Sequence, residues 1–203
     1  MNIRSAESFD NGMLARLHIS VFPGFFLSTL GEHFLTTYYR IVLRHPETIC
    51  LFAEDENCQI YGYVLGRINA NGYLKRIVKS APSVFCWEAF RLLFSRPKAL
   101  LRLINNLDKK RDDSVFTDDQ NYAEIGLIGI LPGLKGQGIG RQLLLKFETM
   151  LKEKGVKRLS LTTDAEDNEG TLAAYKSWGF EVYYPFTSYP NRKMYRLIKE
   201  IKE

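Results

Sequence analysis

The sequence predicts an α+β sandwich, an α/β/α layering around a mixed, mostly antiparallel sheet. Three observations lead there. The 203 residues, 45% hydrophobic and 25% charged, suffice for one substantial core and are short for two. The first third reads as a strand, two helical stretches and a hairpin. From Ala123 the pattern tightens into strand, helix, strand, helix, strand, strand. A single domain over residues 1–203 is the expected organisation.

Met1 to Ser5 reads as a short strand. Over Phe9 to Val21 the residues Met13, Leu14, Leu17 and Val21 recur at helical spacing, with Asp10 or Asn11 as the cap. Phe22-Pro-Gly-Phe-Phe is a loop, because proline and glycine break the pattern. A helix runs from about Leu30 to Leu43 and stops at His45-Pro46. Thr48 to Ala53 and Gln59 to Arg67 form a hairpin turning through Glu54-Asp-Glu-Asn. Pro82 to Phe94 and Pro97 to Leu107 are two amphipathic helices, and Asp108-Lys-Lys-Arg-Asp-Asp reads as solvated loop. Glu124 to Leu131 is a strand, Gln137 to Lys154 a helix closed by Gly155, and Val156 to Thr163 a strand. Glu169 to Trp178 is a helix closed by Gly179. Phe180 to Pro185 and Arg192 to Ile198 complete the sheet.

Composition narrows the function. The N-terminus lacks a cationic stretch followed by an apolar run, and no apolar stretch approaches the 18 or so residues of a membrane span. Cys50, Cys58 and Cys86 are too scattered for a disulfide framework or a metal site, and read as reduced thiols in a cytoplasmic protein. His18, His33 and His45 show no paired-ligand spacing, so no metal is expected. The net charge of +5 is uneven. Between Lys75 and Asp112 ten cations face three anions, a balance of +7 that leaves about −2 for the rest.

Leu131-Pro-Gly-Leu-Lys-Gly-Gln-Gly-Ile-Gly-Arg joins a strand to a helix. Gly136, Gly138 and Gly140 let a ligand approach the backbone, and the first N–H groups of the helix lack internal partners. With Lys135 and Arg141 beside it, this is read as an anion site suited to phosphate, the alternative being a glycine-rich turn that holds no ligand. It is not a P-loop, since no Gly-Lys-Ser/Thr follows at the required spacing. The dinucleotide pattern fails too, because its third glycine falls on Arg141 or Leu143.

Lys135-Gly-Gln-Gly-Ile-Gly resembles the pyrophosphate motif of the GNAT superfamily, Arg/Gln-x-x-Gly-x-Gly/Ala, with Lys135 at the Arg/Gln position. Asn168, Tyr175, Gly179 and Phe180 resemble its second signature, with Thr171 where alanine is usual. The resemblance covers Glu124 to the C-terminus well, and the N-terminal half only in its order of elements. It implies splayed fourth and fifth strands, and direct acetyl transfer from acetyl-CoA to an amine. The implied cofactor contacts are Ile128 and Ile130 for the pantetheine arm, Lys135, Gly136, Gln137, Gly138, Ile139, Gly140 and Arg141 for the pyrophosphate, and Asn168, which also stands where it can cap the helix. Tyr175 is the implied acid for the thiolate, since a phenol is protonated at neutral pH. Glu124 is the candidate base; by alternation it would share a face with Gly126, Ile128 and Ile130.

The family usually joins its third and fourth strands by a short turn, where this chain has about fifty residues. They are expected to be an inserted helical pair with a basic face. That face is read either as packing alone, as a lid whose cations meet an anionic acceptor, or as a surface resting on membrane lipid. The lid is preferred to the membrane surface, because the insertion joins strands bordering the acceptor side. No nucleic-acid motif appears. The expected activity is acetylation of a small-molecule or sugar amine. The alternatives are a protein lysine or N-terminal acetyltransferase, and a silent acyl-CoA-binding module. A homodimer is compatible with the sequence.

Overall fold

The computed structural model describes residues 1–108, 118–188 and 191–202. Its sheet contains β1 (Asn2–Ser5), β2 (Thr48–Glu54), β3 (Ile60–Arg67), β4 (Ala123–Ile130), β5 (Arg158–Asp164), β6 (Glu181–Ser188) and β7 (Arg192–Glu200). The spatial order is β1-β2-β3-β4-β5-β7-β6, and only the β4–β5 pair is parallel.

The central strands are buried on both faces, and strand alternation distributes them between two cores. From β2, Ile49, Leu51 and Ala53 join Leu143, Leu144, Phe147 and Leu151 of α7 (Ile139–Glu153) and Tyr175 of α8 (Glu169–Ser177). The interleaved Cys50 and Phe52 pack on the other side, with Leu14 and Leu17 of α1 (Asn11–Val21) and Leu35, Tyr39 and Val42 of α3 (Glu32–Val42). The short α2 (Phe26–Thr29) lies between α1 and α3. Among the described residues no helix is long and apolar enough to cross a membrane.

The structure departs from the sequence reading in several places. The insertion is three helices, not a pair: α4 (Tyr73–Ser80) precedes α5 (Pro82–Ser95) and α6 (Pro97–Asp108). The extra helix is two turns long and buries only Tyr73 and Ile77, a pattern too brief to stand out. Asp108 ends α6; the rest of the expected basic loop lies outside the described residues. Asp10 does occupy the cap position of α1, but its carboxylate accepts from Arg4 and from the Glu7 backbone N–H at 2.8 Å instead of capping that helix.

Candidate active site

The cleft begins where β4 and β5 separate. Their pairing stops after Ala123–Leu159, Glu124–Ser160 and Ile125–Leu161, although both strands continue. Beyond Ile125 the backbone of β4 has no β5 partner. The Leu131 N–H donates to the Tyr61 carbonyl of the β3 side at 2.9 Å. Alternation therefore turns the N–H and C=O groups of Ile130 and Ile128 away from β3, into the opening. A strand edge with free amide groups is what an extended amide-bearing arm requires.

The separation has a local cause. Leu65 pairs with Leu127 and Gly66 with Ile125, so Gly126 is the extra residue of a β-bulge. The bulge also resets which side chains share a face. Ile125, Ile128 and Ile130 pack towards α7. Leu127 packs towards α1, and a Cβ on Gly129 would meet Val21 and Phe22 at 2.5 and 3.0 Å. The simple alternation expected for this strand, with Glu124 on the face of Ile128 and Ile130, is thus corrected. Glu124 lies on the α1 side, at the apex of the opening.

The glycine loop follows β4 as one 3-10 turn (Pro132–Leu134) and then enters α7. Gly136 and Gly138 have φ of +83° and +78°, a region that L side chains rarely enter, and a Cβ on either would meet nothing within 4 Å. Gly138 is the N-cap of α7 and carries no capping side chain. The first helical bond is Gln142 N–H to the Gly138 carbonyl at 3.1 Å, which leaves the N–H groups of Ile139, Gly140 and Arg141 without helical acceptors. Lys135, Gln137 and Arg141 are exposed, and the two cations form no ion pair among the described residues. Open space, orphan donors and unneutralised charge therefore coincide at one point.

Tyr175 is buried on α8 and stands edge-on to Trp178 and Phe180, with ring centroids 5.5 and 5.8 Å away. Trp178 in turn reaches towards Gly140, where a Cβ would lie 3.6 Å from its ring. The phenol and the loop are thereby tied through one indole. Burial pushes the Tyr175 hydroxyl up to about 12, and no hydrogen bond occupies it among the described residues. A neutral donor held by aromatic packing suits proton delivery to a thiolate. Asn168 precedes α8, but its amide turns back to donate to Thr163 Oγ1 at 2.6 Å and the Asp164 carbonyl at 3.1 Å. It does not cap the helix; it ties the helix start to the end of β5.

Glu124 is enclosed by cations. One carboxylate oxygen is paired with Arg67 of β3, and the other accepts from Arg196 Nη1 of β7 at 2.6 Å. Arg196 has no solvent exposure, and its Nε and Nη2, with Arg67 Nε, are buried without a partner among the described residues. Two guanidiniums favour the ionised carboxylate and so weaken it as a proton acceptor. The sequence reading missed both arginines. The signal was there for Arg196, the odd cation in the inward series Met194, Arg196, Ile198 of a strand.

On the α1 side the cleft mouth is bridged. Arg192 at the start of β7 is paired with Asp164 and stands 5.2 Å over the Phe25 ring, in the loop before α2. Phe25 contacts Phe22, which faces Tyr63. The insertion braces this flank from behind. Arg96 donates to the Thr29 carbonyl at 2.5 Å, Arg102 covers the Phe26 ring, and Leu92 and Leu100 pack with Leu30 and Phe34. Arg91 meets His33 and Glu88. Arg91, Arg96 and Arg102 of the insertion are thus engaged with neighbouring helices and act as a brace. Among the described residues no cluster of three or more His, Cys, Asp or Glu forms a metal-binding group.

Comparisons with known proteins agree with this geometry. Residues 99–180 match the model of the Acetyltransferase (GNAT) family. A mycothiol acetyltransferase of Thermobifida fusca is 33% identical over 76 residues, 37% of this chain and 23% of that protein. The chain thus spans about a quarter of the length of the curated relatives it matches. A Vibrio cholerae spermidine N-acetyltransferase chimera superposes with a TM-score of 0.61 at 14% identity, covering 98% of this chain and 96% of the other. A ribosomal-protein alanine N-acetyltransferase of Escherichia coli gives 0.58 at 15% identity, covering 100% and 94%. The two signature motifs and the splayed parallel pair thus accompany a match to the Acetyltransferase (GNAT) family over residues 99–180, within a fold similar to that of these solved acetyltransferases.

Proposed function

We propose that this chain moves an acetyl group from acetyl-CoA to the amine of a small molecule or sugar by direct attack. The observation that carries the reading is the opening of β4 from β5 immediately before a loop of unfilled glycines and orphan N–H groups. The loop and the first turn of α7 hold the pyrophosphate, with Lys135 and Arg141 supplying charge. Ile128 and Ile130 bond the pantetheine arm. The neutral amine attacks the thioester carbonyl, the C–S bond breaks, and the Tyr175 hydroxyl protonates the departing sulfur. The proton shed by the new amide nitrogen passes through water to restore the phenol. The bridge from Phe25 to Arg192 narrows the mouth on the acceptor side and favours a compact amine over a peptide. The fold itself does not choose, since its solved neighbours include enzymes named for spermidine and for a ribosomal protein.

Thiol release from acetyl-CoA, screened over amino sugars, polyamines, amino acids and peptides, tests the reading. Turnover confined to peptides would replace the small acceptor by a protein. Tyr175→Phe keeps the contacts with Trp178 and Phe180 and removes only the phenol. Turnover should fall by about 10²-fold with acetyl-CoA affinity nearly unchanged. Because burial raises the phenol to about 12, the wild type should show no alkaline loss from this group below about pH 11. Equal turnover in both proteins would leave Tyr175 as packing alone.

A further inference from the structure

The outer face of the insertion is not explained by acetyl transfer. On α5 the residues Phe85, Glu88 and Leu92 turn inward, while Trp87, Phe90 and Phe94 turn outward and are 63%, 55% and 74% exposed. The three rings touch one another: Trp87 stacks on Phe90 at 5.9 Å, and Phe90 meets Phe94 edge-on at 5.0 Å. With Arg91 and Ser95 they line a shallow cavity of about 400 Å³. Leu93 beside them and Leu101 on α6 are also mostly exposed. On α4, Leu74 and Val78 are also exposed. A cluster of touching exposed rings, with further exposed apolar side chains on the neighbouring helices, is unfavourable in water and marks a contact surface.

Charge identifies what it contacts. From Tyr73 to Arg102 the chain carries seven Lys and Arg and one acid, Glu88, which is buried. This stretch therefore presents cations to solvent and no anion. Lys75, Lys79 and Lys98 are exposed and take no ion pair among the described residues. A second copy docked through the same face would bring like charges together. Nucleic acid would find the cations and rings useful, but not Leu74, Val78, Leu93 and Leu101. A surface that is both anionic and apolar at a depth of a few ångströms satisfies all of them.

We propose that the outer face of α4, α5 and α6 docks onto an anionic lipid bilayer, with Trp87, Phe90 and Phe94 inserted at the headgroup boundary and the lysines above it. The docked helices are the same ones that grip α2 through Arg96 and Arg102, so the acceptor-side flank of the cleft sits directly on the anchored unit.

Flotation of the full chain with phosphatidylcholine vesicles, with and without phosphatidylglycerol, tests this at about 0.1 M salt. Binding is expected only with the anionic lipid. The variant Lys75→Glu/Lys79→Glu/Lys98→Glu, which breaks no ion pair, should bind about 10²-fold more weakly or worse. Phe90→Ser/Phe94→Ser should also lose binding while keeping wild-type acetyl-CoA affinity, which certifies the fold. In a Trp178→Phe background the Trp87 emission should move to the blue on adding anionic vesicles. No flotation with anionic vesicles, or equal flotation with neutral ones, overturns the proposal. So does a concentration-dependent dimer that Phe90→Ser/Phe94→Ser abolishes while vesicles are ignored. None of these readouts depends on the acetylation assay.

Discussion

Glu124→Gln is expected to lose about 3–5 kcal/mol of folding stability, because it removes one partner of a buried ion pair and strands the other. Arg196 is fully buried and two of its nitrogens already lack partners, so its charge relies on Glu124. Gln keeps the shape and one acceptor oxygen, but not the counter-charge. Replacing both residues, as Glu124→Gln/Arg196→Met, removes the stranded cation and should recover most of the loss. Denaturant midpoints of the three variants measure this directly. Kinetics separate the structural role from base catalysis. If Glu124→Gln proves as stable as wild type, yet loses turnover that returns at high pH, Glu124 takes the amine proton and the ion-pair reading fails.

How much of this was legible in the sequence follows from the range of the interactions involved. The turn of the glycine loop into a helix and the place of Tyr175 on the next helix were readable because both are local features: Gly136, Gly138 and Gly140 are close in sequence, and Tyr175 lies within α8. The mixed sheet was readable because strand and helix periods alternate cleanly after Ala123. The surroundings of Glu124 were not, since Arg67 and Arg196 lie 57 and 72 residues away and meet it only across β3, β4 and β7. Its face was misread because one bulge at Gly126 shifts the strand phase, and a glycine in a strand does not announce which way the register moves. The insertion's direction was equally hidden. Arg96 and Arg102 suit a cleft or a neighbouring helix, and only tertiary packing chose Thr29 and Phe26.

Gly138→Asp should abolish acetyl-CoA binding while leaving the protein folded. The position is at φ +78° with nothing within 4 Å of an added Cβ, so the new side chain meets open space and no packed neighbour. That open space is the phosphate site of the proposed reading. A carboxylate there would accept from the orphan N–H groups of Ile139, Gly140 and Arg141, and would oppose the pyrophosphate with its own charge. The backbone cost is modest, because Asp and Asn enter the left-handed region more readily than other side chains. Gly138→Asn is therefore the informative partner. It matches the size and backbone demand of Asp without the charge, and should retain measurable though weakened affinity. Calorimetry on both variants, with thermal unfolding to confirm the fold, reads the difference. Wild-type affinity in folded Gly138→Asp would show that the cofactor's phosphates sit elsewhere. Equal loss in the two variants would assign the effect to bulk, and would remove the electrostatic part of the argument for this loop.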